Sequence, residues 1–124
     1  TLHTNDACAA ITRLQELGVA DYLIKATLVG VMAQRLVRTL CPDCQVNTCA
    51  HCRTCRGTGF HGRTGLFELL EPSDKLRALI GRDADLTVLR QQAQADGLVD
   101  LRRCGEAKVT SGQTCMHEVL RVCG

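Results

Sequence analysis

Two C-x2-C pairs, Cys41-Pro-Asp-Cys44 and Cys52-Arg-Thr-Cys55, fall within fifteen residues and constrain this chain more than any other feature. Each pair is a knuckle that points two thiolates at one ion. Four thiolates around one tetrahedral centre make a structural zinc site with no open position for water, so metal catalysis is not expected. The glycines of Gly57-Thr-Gly-Phe-His-Gly-Arg-Thr-Gly65 let the chain turn sharply beside the metal. The ligand set carries one ambiguity. Cys49, Cys52 and Cys55 are spaced by three, so Cys49/Cys52 or Cys52/Cys55 can supply the second pair. The glycine turn directly after Cys55 favours Cys41, Cys44, Cys52 and Cys55, with Cys49 spare. The bland alternative makes these cysteines buried small hydrophobes, but unligated cysteines rarely cluster as two such pairs.

The chain has 124 residues, enough for one domain or for part of a larger one. Nine cysteines cannot all pair within one chain. Their paired spacing, with no signal-peptide pattern, is expected of metal binding in a reducing compartment rather than of a disulfide framework. A formal net charge of +2 names no partner. The aromatic residues are Tyr22, Phe60 and Phe67, too few for a base-stacking platform on single-stranded nucleic acid. No apolar run approaches the roughly 20 residues that cross a bilayer. The chain opens on Thr1-Leu-His-Thr4, inside what reads as an element and without an initiator Met, which is the expectation for a piece of a longer protein.

Thr1–Thr4 reads as the end of a strand, and Thr4, Asn5 or Asp6 caps a helix whose apolar face is Ala7, Ala10, Ile11, Leu14 and Leu17. A second helix is expected from Asp21 to Arg35. Tyr22, Leu23, Ile24, Leu28, Val29, Val31 and Met32 leave it little polar surface, so it is expected inside a core. Gln34–Arg38 either ends this helix or turns into a short strand. Gly65–Leu70 reads as a strand stopped by Pro72. Ser73 and Asp85 then cap two helices, Asp100–Ser111 forms a weaker one with Gly105 in its middle, and Thr114 caps the last.

His3 sits beside Thr1, Thr4 and Asn5, where a histidine is more often a capping group than a catalyst. His51 and His61 flank the cysteines, which already suffice as ligands, and His117 reads as a surface residue. Arg35, Arg38, Arg53, Arg56 and Arg63 make the centre locally basic, either to meet phosphates or an acidic partner or as a solvated shell around an anionic metal centre. The sequence holds no G-x4-G-K-[ST], no Walker-B-like acidic strand and no paired catalytic carboxylates.

Taken in order, several segments resemble one family, the secretion ATPases of type II secretion and type IV pilus assembly. Thr1-Leu-His-Thr-Asn-Asp6 resembles the end of its His box. Ile11-Thr-Arg-Leu14 and Gln34-Arg-Leu-Val-Arg38 resemble the helices that follow. The Cys41/Cys44 and Cys52/Cys55 pairs resemble its tetracysteine metal motif. Gly59-Phe-His-Gly-Arg-Thr-Gly65 with Glu68-Leu-Leu70 resembles the next strand. Lys108-Val-Thr-Ser-Gly-Gln-Thr114 and Glu118-Val-Leu-Arg-Val122 resemble its C-terminal end. The resemblance implies an α/β fold, the C-terminal half of a RecA-like ATPase domain with a tetracysteine zinc subdomain and a helical tail. Residues 1–40 would close the ATPase core with a strand and two helices. Residues 41–65 would form the zinc subdomain, and 66–124 a strand and helical subdomain. The resemblance further implies a homo-hexameric parent, cytoplasmic and peripheral to the inner membrane, that binds membrane platform proteins and no nucleic acid. ATP and Mg would be bound in that parent, with the P-loop upstream of Thr1 and His3 near the γ-phosphate.

The chain departs from this pattern in places. Only seven residues separate Cys44 from Cys52, where the family often has a longer segment. Cys104, Cys115 and His117 also replace more usual residues. Two rival readings are zinc-binding interaction modules. Cys52-Arg-Thr-Cys55-Arg-Gly-Thr-Gly59 fits the C-x2-C-x-G-x-G repeat of J-domain chaperones, which carry several where this chain has one. A nucleic-acid-binding zinc ribbon rests only on the arginines and would bind in a salt-sensitive way.

Overall fold

The two cysteine pairs lie at the tip of a β-hairpin. The computed structural model describes residues 1–44, 50–81 and 85–124. Its elements are α1 (Ala7–Glu16), α2 (Asp21–Thr27), β1 (Val31–Leu40), β2 (Phe60–Leu70), α3 (Asp74–Leu79), α4 (Leu86–Ala95), α5 (Leu101–Thr110) and α6 (Met116–Cys123). β1 and β2 form a two-stranded sheet. The Cys41 N–H donates to the Gly59 carbonyl at 2.9 Å and the Thr39 hydroxyl donates to the His61 carbonyl, so the strands run antiparallel. The fold is thus a mixed helix–strand one. Among the described residues no helix is long and apolar enough to cross a membrane. The chain divides into two compact units, Thr1–Ala33 with Phe67–Asp100 and Gln34–Leu66 with Leu101–Gly124.

In the first unit α1 packs against α2 and α4, and α3 packs against α4. Ile11, Ile24, Leu70, Leu76, Ile80, Leu89 and Ala93 make its core. Three helices start where a short polar side chain accepts an N–H of the first turn. Asp6 takes the Ala9 N–H at 2.7 Å, Ser73 the Leu76 N–H at 3.0 Å and Asp85 the Val88 N–H at 2.9 Å.

The buried helix expected over Asp21–Arg35 does not form. α2 stops at Thr27, Leu28 is already extended, and the chain re-enters order as β1. The local cause is Thr27-Leu-Val-Gly-Val31, where β-branched residues and a glycine disfavour helix. The tertiary cause is Arg77. Its guanidinium donates to the Lys25 carbonyl and, at 2.8 Å, to the Leu28 carbonyl, satisfying the end of α2 from outside. The expected burial fails as well. Ile24 is the buried residue of α2, whereas Tyr22 is 70% and Val29 86% exposed. Thr1–Thr4 are likewise not in a strand, so the first strand of the described chain is β1.

In the second unit α5 and α6 pack together, and Val37, Leu66, Leu101 and Val119 are buried. Thr114 does not cap α6 as expected. The cap position is Cys115, without a side-chain bond, and the Thr114 hydroxyl donates to the Arg38 carbonyl at 2.7 Å. One backbone bond further along β1, the Leu40 N–H donates to the Gln113 carbonyl at 2.9 Å. The turn before α6 is thereby stitched to β1, and this outweighs a local cap.

Gly105 lets α5 and α6 approach closely. A Cβ there would stand 2.5 Å from Val119 Cγ1. Gly105→Ala gains about 1 kcal/mol of helix propensity but forces a repacking that costs more, so a net loss of about 1–2 kcal/mol is expected. Thermal melting checks this, and Val119→Ala in the same chain should relieve part of the loss by clearing the colliding methyls.

Candidate metal centre

The hairpin tip brings four thiols to one point. The sulfur atoms of Cys41, Cys44, Cys52 and Cys55 all lie within 4.8 Å of one another. Cys41 Sγ is 3.8 Å from Cys52 Sγ, and Cys44 Sγ is 3.4 Å from Cys55 Sγ. Zinc–thiolate bonds of about 2.3 Å in a tetrahedron place sulfur atoms about 3.8 Å apart. Donor type, donor number and spacing therefore fit a tetrahedral thiolate site.

Local turns set this geometry. The Arg56 N–H donates to the Cys52 carbonyl at 2.8 Å, and the Thr58 N–H to the Cys55 carbonyl at 3.1 Å. Arg56 takes a positive φ of 52°, and Gly57 follows at 79°, a left-handed pair that turns the chain back directly after Cys55. A Cβ on Gly57 would also meet the Ala50 backbone at 3.5 Å. The Thr54 hydroxyl donates to the Asp43 carboxylate, joining the two knuckles through residues that are not ligands. Burial by itself raises the Cys55 thiol. Hydrogen bonds from the Gly59 backbone, the Cys44 and Cys52 thiols and the Gly57 backbone reverse this and bring it down to about 6. Cys55 thus favours the thiolate, the form that binds metal.

An ionic clamp stands on the strand that leads into the knuckle. Glu118 of α6 is 0% exposed, and its carboxylate accepts from two arginines. Arg38 Nη2 reaches Oε1 at 2.7 Å and the Arg38 backbone N–H reaches Oε2 at 3.1 Å. Arg121 Nε reaches Oε1 at 3.0 Å and its Nη2 reaches Oε2 at 2.8 Å. The Arg38 guanidinium also lies 4.1 Å from the centroid of the Phe60 ring, a cation–π contact. The Arg121 and Arg38 guanidiniums outweigh the effect of burial and hold the Glu118 carboxyl well below the usual carboxylate range.

The other sequence-level candidates fall as follows. His3 is exposed, four residues before α1, and belongs to the first unit, whereas the four thiols belong to the second. His51, His61 and His117 are exposed. Cys49 lies outside the described residues. Cys8 is buried in α1, where desolvation and the nearby Asp6 and Glu68 carboxylates push its thiol up to about 11, the behaviour of a core residue. Arg53, Arg56 and Arg63 are exposed, while Arg38 is committed to the clamp. The clamp was not foreseen. Its only sequence signal is the Glu118/Arg121 spacing on one helix face, because Arg38 is 80 positions away.

Comparison with known proteins places these features. The sequence profile of the family described as "Type II/IV secretion system protein" matches residues 1–121. The type II secretion system protein HxcR of Pseudomonas aeruginosa is 42% identical over 127 residues, covering 98% of this chain and 27% of that protein. The type IV pilus assembly ATPase TfpB of Acinetobacter baylyi is 39% identical, covering 98% of this chain and 25% of its own length. The type II secretion system protein E of Klebsiella pneumoniae is 41% identical, with 98% and 28% covered. The chain spans about a quarter of the length of these curated relatives.

Proposed function

The chain belongs to the type II/IV secretion system protein family, and from that membership we propose that it is the C-terminal, zinc-bearing part of a motor ATPase that powers type II protein secretion or type IV pilus assembly. The observation that carries this reading is the family match over residues 1–121, which takes in the His3 segment, the four cysteines and α6 together. The proposed parent is a homo-hexamer on the cytoplasmic side of the inner membrane, docked to platform proteins and binding ATP and Mg. In it, residues 1–40 complete a RecA-like core, residues 41–65 form the zinc subdomain and residues 66–124 the helical subdomain.

Cys41, Cys44, Cys52 and Cys55 hold the metal in this reading. Zinc supplies a rigid cross-link between the two knuckles and no chemistry on substrate. Arg38 and Glu118 tie the strand entering that cross-link to α6. His3 is the residue of this chain proposed to meet the nucleotide, donating toward the γ-phosphate as charge develops there.

The 124-residue chain by itself is expected to turn over no ATP. It has no lysine-bearing glycine loop, and no side chain substitutes for backbone amides wrapped around a triphosphate. In the intact protein, ATP hydrolysis is expected, and His3→Ala should lower kcat by about tenfold or more while nucleotide affinity stays nearly constant, as for a group acting in the transition state. Steady-state hydrolysis and equilibrium nucleotide titration check both. An intact protein without ATP turnover would overturn the reading.

A further inference from the structure

Two carboxylates hold the first turn of α1, and they come from distant parts of the sequence. Asp6 Oδ1 accepts the Ala9 N–H at 2.7 Å, and Asp6 Oδ2 accepts from Arg90 Nε of α4 at 2.8 Å. Glu68 Oε1, from β2, accepts the Ala7 N–H at 2.8 Å across 61 positions of sequence. Ala7 is the first residue of α1, and its N–H has no partner within a helix. Glu68 is only 3% exposed. Burying a carboxylate is costly unless donors meet it, and the positive end of a helix is a favourable place for it. The Thr4 hydroxyl then donates to the Asp6 carbonyl at 3.1 Å, which sets the chain direction just before the helix. His3 precedes Thr4 and is carried on this pinned segment.

We infer that Glu68 is a positioning residue for His3: by holding the first N–H of α1 it fixes where the His3-bearing segment leaves the fold. This rests on the motor reading above. Glu68 acts through the backbone N–H of Ala7 that it holds. A displacement on the order of 1 Å at a reacting group costs up to about a hundredfold in rate, so a modest slackening at Ala7 has a kinetic readout.

The test uses the intact ATPase and follows kcat and KM for ATP together with thermal melting. Glu68→Asp draws the acceptor back by one methylene and should lower kcat about tenfold with KM within about twofold. Glu68→Gln keeps the length and an acceptor oxygen and should restore most of the rate. In a His3→Ala background, Glu68→Asp should cause no further loss, because the two act as one unit. An equal, additive loss with and without His3 would overturn the inference and leave the motor reading standing, as would a Glu68→Asp variant of normal kcat. A normal rate for His3→Ala would remove the role of His3 and the inference with it. Fast hydrogen exchange at the Ala7 amide of the unmodified protein would also overturn the inference, without any substitution.

Discussion

Cys55→Ser is expected to abolish metal binding and to unravel the hairpin tip, while Cys49→Ser is expected to leave one zinc per chain. Among the described residues of 41–65, the buried side chains are those of Cys41 and Cys55, two of the four ligands themselves. Apart from the ligands, no side chain among those described residues is buried, so they have no apolar core to fall back on when metal is lost. Binding is then folding, and structural zinc sites of this type contribute on the order of 10 kcal/mol. Metal counting on purified protein checks the ligand set, and hydrogen exchange checks the structural consequence. Exchange should accelerate first in residues 41–44 and 50–65, and chelation should reproduce the pattern. The helices α1 to α4 should keep their protection, because the first unit has a core of its own around Ile11, Leu76, Ile80 and Leu89. A Cys49→Ser protein without metal, beside a Cys55→Ser protein that keeps it, would shift the second pair to Cys49/Cys52.

Glu118→Ala is expected to destabilise the second unit by about 3 kcal/mol, at the severe end for one substitution. It removes the shared partner of Arg38 and Arg121 and leaves the Arg38 backbone N–H without its acceptor. The guanidiniums are half exposed and return to water, which keeps the loss below that of a fully buried triad. The clamp also predicts acid sensitivity. The folded carboxyl lies well below its ordinary value of 4.5, so its contribution is fully present above that value and is lost as pH falls through the acid range below it. Stability measured from pH 7 to pH 3 should therefore fall more steeply in the native protein than in Glu118→Gln. Equal slopes would show that the clamp contributes no linkage.

Local chemistry was legible wherever residues close in sequence carry it. The two C-x2-C pairs named four ligand candidates, and the fold gathers those four. Asp6, Ser73 and Asp85 start helices because each side chain reaches an amide only three residues on. Gly65–Leu70 is strand as expected, although β2 begins earlier, at Phe60. The family was legible too, since its motifs keep their order along the chain. The tertiary structure decided what depends on partners far away in sequence. Asp21–Arg35 carries enough apolar residues to read as a buried helix. Yet Arg77 terminates α2 from about fifty positions away, and pairing with β2 draws Val31–Leu40 into a strand. Thr114 had a good local cap to make and instead bonds β1, because a buried hydroxyl takes the acceptor the fold presents. Neighbours along the chain give no sign that Glu68 or Glu118 is buried, and the fold buries both by bringing them donors from 61 and 80 positions away. Propensity and spacing act over one helical turn, and these contacts exist only once the chain has closed on itself.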